Sequence, residues 1–448
     1  MPKISEIIKA TQGKLLKGKP DSEFLDISTD TRKLKKGELF LAIKGKNFDG
    51  HDFLKEAEKK GASALIVERK PSFTLNIPII IVEDTLQALG DIARYQRSKF
   101  SIPLIAITGS NGKTTTKEML AYLLGLKYKV LKNEGTQNNQ IGLPLTLLRL
   151  NGNYDVVVVE LGTNHFGEIE YLTKICLPNI GIVLNIGPAH LEFFKNLKGV
   201  YKEKISLIKN LSFPRIGIIN CDDPFLKQSL KEIKDKFLIG FGIRNKGDFY
   251  AENLEFKRGK VSFLINKKKF YLNTLGFFNV YNALAAIAVC RLFGFGYQDL
   301  ISGLKKFKFP SQRLELKKIR GTTFIDDTYN SNPASLNESL NVFKRLDLGG
   351  RKIAILGDML ELGEKSDEFH YRVGIRILKL CDIIVGVGRF FGRFERIFKN
   401  YKLKKPVMFT CATSKEAKDL LFKKIKPKKK DLVLVKGSRL MRMEEIFR

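Results

Sequence analysis

Pro103-Leu-Ile-Ala-Ile-Thr-Gly-Ser-Asn-Gly-Lys-Thr-Thr-Thr-Lys-Glu118 passes from an apolar run, Leu104 to Ile107, through a glycine-bearing turn into a segment of helical character, Lys117 to Leu126. So short an apolar run reads as a buried strand. Strand, glycine turn, Lys-Thr and helix together describe a phosphate cradle. In the turn Gly109-Ser110-Asn111-Gly112 the glycines let backbone N–H groups approach phosphate oxygens. The helix opened by Lys113-Thr114-Thr115 adds a favourable dipole. Lys113 supplies a cation for β- and γ-phosphates, and the Thr114 hydroxyl can ligate Mg2+. The commonest P-loop has a further glycine where this chain has Ile107, so this is the shorter Gly-x-x-Gly-Lys-Thr-Thr form. Nucleotide binding is the expectation. The plain alternative is a tight strand-to-helix turn with a solvated lysine.

Working outward, residues 101–308 carry further buried strands at Val156–Glu160, Ile180–Asn185 and Ile216–Asn220. Apolar runs separated by helices predict a parallel sheet covered on both faces. After Asp248 the pattern becomes hairpin-like (Val261–Ile265, Lys269–Leu272), and a small-residue helix follows from Asn279 to Phe293. Residues 1–100 form a small α/β unit with strands near 38–43, 64–67 and 78–82, a helix over 51–60 and a closing helix over 85–98. Residues 309–448 repeat the α/β pattern, with strands at 322–326, 353–356, 383–386 and 432–435. Ligands of open α/β sheets gather at the carboxyl ends of strands. Asp326, Asp327, Asp358 and Lys436 stand at such ends.

A chain of 448 residues accommodates two to four domains, and 44% hydrophobic with 28% charged residues is ordinary for a soluble globular protein. The net charge of +32 is not ordinary. Nucleic acid, a polyanionic substrate and a lysine-rich host composition compete to explain it. The lysines are spread along the chain, with one dense run at Lys423–Lys430 and no RNA-binding aromatic signature or zinc-finger spacing. Host composition with an anionic substrate is therefore preferred, and no nucleic acid partner is expected. Five scattered cysteines suggest a reducing, cytoplasmic setting. No apolar run approaches the roughly 20 residues that span a bilayer, so no membrane insertion is expected.

Several residues carry candidate chemistry. Glu160 ends its strand where a Walker-B-type carboxylate would meet the nucleotide's Mg2+. His190, in Asn185-Ile-Gly-Pro-Ala-His190, follows the next strand and is a candidate metal or phosphate ligand. Lys204 lies in what reads as a surface helix. Asn279 could cap the helix that follows, whereas Asn282, a turn later, has less structural reason to be there. Arg313 precedes a strand, and Asp327 suits a ribose hydroxyl as well as a turn. Two polar clusters in the first domain, Ser28-Thr29-Asp-Thr-Arg32 and Lys44-Gly45-Lys-Asn-Phe-Asp49-Gly-His51-Asp52, read by themselves as turn chemistry.

Together these residues resemble, in their order along the whole chain, the Mur ligase family. Its members are ATP-dependent amide-bond ligases of peptidoglycan precursor synthesis, with folylpolyglutamate synthetase relatives. The likeness is strongest to the branch that adds D-alanyl-D-alanine. It is carried by Asp49-Gly-His-Asp-Phe53, Asn138-Asn139-Gln-Ile-Gly-Leu-Pro144, Glu160-Leu-Gly-Thr-Asn-His165, Ile325-Asp-Asp-Thr-Tyr-Asn-Ser-Asn-Pro333, Leu356-Gly-Asp-Met-Leu-Glu-Leu-Gly363 and Val435-Lys-Gly-Ser-Arg439. The Asp-Asn-Pro-Arg signature of diaminopimelate-adding relatives is absent.

The resemblance implies three α/β domains: an N-terminal substrate domain (1–100), a central P-loop ATPase-type domain (101–308) and a Rossmann-like C-terminal domain (309–448). It implies ATP, Mg2+ (two ions), UDP-N-acetylmuramoyl-tripeptide and D-alanyl-D-alanine as ligands of a cytoplasmic monomer. Gly109 to Thr115 would hold the ATP phosphates. Thr114 and Glu160 would hold one Mg2+, and His190 with Lys204, as an N-carboxylysine, a second. Asn279 and Asn282 would read adenine, Asp327 the ribose, with Arg313 near the phosphates. Ser28, Thr29, Arg32, Lys44, Gly45, Asp49 and His51 would bind the UDP-muramoyl end. Asn138, Asn139, Asn330, Asn332, Lys436, Ser438 and Arg439 would contact the peptide substrates. Three positions depart from the family pattern: Phe278 where a histidine is usual, Glu-Lys204-Ile-Ser around the lysine, and Leu440 in place of a glycine.

Overall fold

The computed structural model describes residues 2–45, 47–257, 259–391 and 406–448. At its centre is a seven-stranded, all-parallel sheet in the order Phe249–Tyr250, Phe237–Gly242, Ile216–Asn220, Ile180–Val183, Leu104–Thr108, Val156–Glu160 and Val130–Lys132. Leu104–Thr108 thus lies between the strand that ends at Glu160 and the strand that leads to Asn185. That is the arrangement in which adjacent loops diverge and leave a crevice at the carboxyl ends. Every residue of Leu104–Thr108 and Val156–Glu160 is buried, as unbroken Val/Ile/Leu runs require when both faces are covered.

One cover is the helix Phe278–Leu292, which is apolar on nearly every side. It packs against the helix Lys113–Leu124 and the strands Ile216–Asn220 and Phe237–Gly242, in one core shared with a three-stranded antiparallel sheet (Glu252–Lys257, Lys260–Ile265, Lys268–Leu272), which explains its composition. Its larger buried side chains, Val280, Leu284, Ile287 and Val289, contribute about 1.5–3 kcal/mol each.

The first domain is a five-stranded sheet, ordered Lys14–Lys17, Ile79–Ile81, Ala64–Val67, Leu39–Leu41 and Ile27–Ser28. Lys14–Lys17 pairs antiparallel at its edge; with mostly exposed lysine and leucine it carries little apolar pattern. The last domain is a six-stranded sheet, ordered Glu315–Ile319, Thr322–Asp327, Leu432–Lys436, Lys352–Gly357, Ile383–Val387 and Val407–Cys411, parallel except for its first strand. Among the described residues no helix is long and apolar enough to cross a membrane.

The expected α/β architecture is the one found, with local corrections. The phosphate-loop helix begins at Lys113, not near Lys117, and ends at Leu124. The helix expected over 51–60 is a 3-10 turn, Gly50–Phe53, followed by Leu54–Lys59. The segment around Lys204 is helical (Leu197–Lys209) but is not a surface helix there: Glu203 and Lys204 are 3% and 1% exposed. Glu203 turns inward onto the N–H groups of Gly167 and Ile169 and the Thr163 hydroxyl. Asn279 is not a cap either, because the helix starts at Phe278 and buries Asn279 in its first turn.

Candidate active site

Gly109 and Gly112 have φ of +153° and +89°, backbone that side chains adopt only under strain. A Cβ on Gly112 would stand 2.4 Å from Asn282 Oδ1. The turn between them is held from the neighbouring strand's loop. Asn111 donates its N–H to Asn185 Oδ1 (2.9 Å), Asn185 Nδ2 donates to the Asn111 carbonyl (3.0 Å), and the Gly187 N–H donates to Ser110 Oγ (2.9 Å). Lys113 folds back to donate to the Gly109 carbonyl (2.8 Å). This is a preformed anion cradle at a helix N-terminus.

Glu160 is fully buried. Its Oε1 accepts from Asn138 Nδ2 at 2.6 Å, while Oε2 is buried without any partner among the described residues. A buried carboxylate oxygen left open at a cavity wall is what a cation ligand requires, since burying charge uncompensated is costly. No three His, Cys, Asp or Glu side chains converge on one metal point among the described residues. The arrangement therefore fits Mg2+, which binds through one or two carboxylates plus phosphates and water, and not an all-protein cage.

Two lysines share this region. Desolvation pushes the Lys113 ammonium below its ordinary pKa; Glu160 pulls it back up and Arg313 lowers it. Burial pushes Lys204 well below the ordinary lysine value, the Lys113 charge adds to this, and Glu203 opposes it. Glu203 itself anchors the start of the helix Glu168–Cys176, accepting from the N–H groups of Gly167 (2.8 Å) and Ile169 (2.7 Å). Lys204 is thus a buried amine biased toward its neutral form.

Behind the loop, Asn282 accepts at Oδ1 from Thr116 Oγ1 (3.2 Å) and donates to Asn279 Oδ1 (2.9 Å), and Asn279 donates to Thr274 Oγ1 (2.6 Å). Arg313 donates to Thr114 Oγ1 (3.0 Å) and lies 3.9 Å over the Tyr329 ring. Asp327 receives Lys436 Nζ (2.6 Å), Ser339 Oγ (2.5 Å) and the Leu314 N–H (3.2 Å). Lys436 also donates to the Asn330 carbonyl (2.9 Å).

The C-terminal domain reaches the loop directly. Asn332, the N-cap of Pro333–Arg345, donates from Nδ2 to Asn111 Oδ1 at 2.8 Å. His190 Nδ1 lies 2.6 Å from Glu361 Oε2, and the imidazole beside it holds the Glu361 carboxyl below the usual carboxylate range. One cavity of about 880 Å3 is lined by Ser110 to Thr115, Asn138, Asn139, Glu160, His190, Asn279, Asn282, Arg313, Asp327, Asn330, Asn332 and Lys436.

Other expected residues lie elsewhere. Lys204 is buried behind the cavity. Ser438 donates to the Ser331 carbonyl (3.2 Å) and accepts from the Leu360 N–H (2.8 Å), while Arg439 pairs with Glu444 (3.0 Å). The clusters of the first domain do not line the cavity. Ser28 and Thr29 are half-buried, Lys44 and Gly45 exposed, and Arg32 is paired with Asp30. His51 is engaged at both ring nitrogens: Nδ1 lies 2.6 Å from Asp49, and Nε2 accepts the Glu68 N–H at 3.0 Å.

The sequence reading quoted Glu361, Tyr329 and Asn185 within motifs but gave them no role, and it did not reach the Asn111–Asn332 bridge. The roles of Glu361 and Asn185 and the bridge depend on partners more than seventy positions away.

Comparison with known proteins gives the family. The Mur ligase family catalytic domain matches residues 24–97, the Mur ligase middle domain 107–290, and the Mur ligase glutamate ligase domain 312–439. The UDP-N-acetylmuramoyl-tripeptide–D-alanyl-D-alanine ligase of Bacillus subtilis is 36% identical over 430 residues, covering 94% of this chain and 92% of that protein. A crystal structure of MurF from Acinetobacter baumannii superimposes with a TM-score of 0.91 at 33% identity over 99% of this chain and 97% of that one. MurF ligase from Thermotoga maritima in complex with ADP gives 0.84 at 30% identity, over 95% and 96% of the two chains. With relatives this similar over nearly its full length, the chain belongs to the Mur ligase family.

Proposed function

We propose that this protein joins D-alanyl-D-alanine to UDP-N-acetylmuramoyl-tripeptide at the expense of ATP, giving the UDP-muramoyl-pentapeptide of peptidoglycan synthesis. The carrying observation is the phosphate cradle Gly109–Thr115 facing the open Glu160 carboxylate in a cavity that the C-terminal domain closes. Its full-length likeness to ligases of that name supports the choice of substrates. In this reading residues 1–100 hold the UDP-muramoyl end, 101–308 hold ATP, and 309–448 bring the dipeptide. The protein acts as a cytoplasmic monomer.

The tripeptide's terminal carboxylate attacks the γ-phosphorus of ATP, forming an acyl phosphate and releasing ADP. The dipeptide amine then attacks the acyl carbon and phosphate leaves with the C–O bonding electrons. Both partners of the first step are anions, so the protein contributes mainly alignment and neutralisation. Lys113 swings from the Gly109 carbonyl to the β/γ-phosphates. Arg313, held over Tyr329, adds positive charge beside Thr114. Asn282 and Asn279 face adenine. Asp327 meets the ribose through rearrangement of its Lys436 and Ser339 contacts.

Thr114 and Glu160 would hold one Mg2+, and His190 with Lys204 a second; bound, such ions screen the negative charge between carboxylate and γ-phosphate. A neutral Lys204 amine can take up CO2 as N-carboxylysine, and the carboxylate so created would offset the nearby Lys113 charge. The peptide substrates meet Asn138, Asn139, Asn330 and Asn332 along the cavity, with Ser438 supporting the loop of Ser331 and Leu360 from outside it.

The test is phosphate release from ATP with Mg2+ and UDP-muramoyl-tripeptide, with and without D-alanyl-D-alanine. Release that needs both substrates, with a pentapeptide product by mass, is the expected result. Release that ignores D-alanyl-D-alanine and answers to another amine would move the substrate within the family. Release stimulated only by polynucleotide would end the reading.

A further inference from the structure

We infer that Glu361 is a positioning residue for this reaction, donated by the C-terminal domain to orient His190, so that the central domain's site is complete only when the C-terminal domain is docked on it. The inference rests on the ligase reading above and adds to it a residue that the reading does not use.

Four observations carry it. First, Glu361 Oε2 stands 2.6 Å from His190 Nδ1, with angles closer to an ion-pair contact than to an in-line hydrogen bond. A carboxylate oxygen can only accept, and a bare lone pair on Nδ1 would repel it at that distance. The contact favours the form of the ring with its proton on Nδ1. Nε2 has no hydrogen bond among the described residues, and His190 lines the cavity. It is the nitrogen left to face a ligand.

Second, the two residues are both held in left-handed backbone, His190 at φ +54° and Glu361 at φ +62°, although neither is glycine. Such conformations cost of order 1–3 kcal/mol each and persist where surrounding structure imposes them. Third, the backbones dock as well as the side chains. The Glu192 N–H donates to the Glu361 carbonyl at 3.2 Å, and a Cβ on Gly363 would lie 3.1 Å from Glu192 Cα.

Fourth, the loop that presents Glu361 is braced at each preceding residue. Asp358 accepts the N–H groups of Arg389 (2.8 Å), Phe390 (3.1 Å) and Phe391 (3.0 Å). The Met359 N–H donates to His370 Nε2 (2.9 Å), and the Leu360 N–H to Ser438 Oγ (2.8 Å). A carboxylate on so firm a platform can set the direction of an imidazole that itself precedes a single short helix, Leu191–Phe194, as its N-cap residue. Partners of this kind fix ring orientation and tautomer, and losing them costs about 10–100-fold in metal affinity or activity.

The test uses the full-length protein and the variants Glu361→Ala, Glu361→Gln, His190→Ala and the double variant. Steady-state phosphate release is measured beside Mn2+ binding to the ADP complex by electron paramagnetic resonance, which needs no turnover. Glu361→Ala should lower kcat about 10–100-fold with KM for ATP changed less than about threefold, and weaken Mn2+ binding by a comparable factor. Glu361→Gln should recover part of both, because its amide oxygen can still accept from Nδ1. In the His190→Ala background the Glu361 substitution should cost less than twofold, since a residue acting through another adds nothing once that one is gone. Equal losses in both backgrounds, or unchanged Mn2+ binding and kcat in Glu361→Ala, would overturn the inference. Should the unsubstituted protein show no D-alanyl-D-alanine-dependent release, the ligase reading fails instead, and Mn2+ binding still decides whether Glu361 acts on His190.

Discussion

Replacing Glu160 by glutamine separates the cost of a residue to the fold from its use in the site. The glutamine carbonyl can keep the contact now made by Oε1 with Asn138 Nδ2 at 2.6 Å. Its amide nitrogen takes the place of Oε2, which is buried without a partner. One unmet buried group thus replaces another, at about 1–3 kcal/mol, but the cost of burying a negative charge is gone. Against that relief stands the loss of the attraction that raises the Lys113 pKa. The two nearly cancel, so stability should stay within about 1 kcal/mol of the parent, a Tm change of roughly 2–4 °C for a domain of this size. Activity has no such compensation, because a neutral amide cannot neutralise the cation that screens the phosphates. Loss of one charge-stabilising group corresponds to about 2.7–4 kcal/mol, or a 100- to 1,000-fold lower kcat. Thermal melts and phosphate release on the same preparation read both. A kcat within tenfold of the parent would remove Glu160 from the chemistry. A Tm lowered by more than about 8 °C would make it a scaffold residue whose activity loss is indirect.

Gly112→Ala should abolish nucleotide binding in a protein that still folds. The new Cβ meets Asn282 Oδ1 at 2.4 Å on a backbone at φ +89°, so the cradle or the Asn282–Asn279 chain must move; fluorescence titration with a labelled ATP analogue checks this, and unchanged affinity would contradict it. His370 gives a pH dependence. Burial lowers its pKa, against the Ser366 carbonyl and the carboxylates of Asp358 and Asp367, which raise it, and its Nε2 accepts the Met359 N–H. The unfolded chain takes up the proton near pH 6.5 and the folded one only lower. His370 therefore contributes no penalty above about 6.5, and its penalty grows, by up to about 1.4 kcal/mol per pH unit, as pH falls below it. Urea midpoints at pH 7.5 and 5.5 should differ less in His370→Gln than in the parent; equal differences would show that His370 does not set the slope.

Much of the fold was legible because its signals are local. Val156–Glu160 and Ile216–Asn220 are apolar runs bounded by polar residues, and Thr85–Ser98 is a periodic helix; each was found with the expected bounds. Lys14–Lys17, an exposed edge strand, carries no such pattern, and neither does the buried side of the helix bearing Glu203 and Lys204. A lysine there reads as solvated until the loops that cover it are known.

The order of apolar runs and turns along the chain determined that this is an α/β protein with a phosphate loop. The spacing Gly-x-x-Gly-Lys-Thr and the strand before it are properties of consecutive residues. Tertiary structure alone decided which side chains meet. It gave Glu160 one satisfied and one open oxygen, buried Lys204 near Lys113, and brought Asn332 and Glu361 from the last domain onto Asn111 and His190. Those outcomes depend on sheet order and on the docking of domains. Both are set by burial summed over many residues, and so by contacts between positions far apart in the chain.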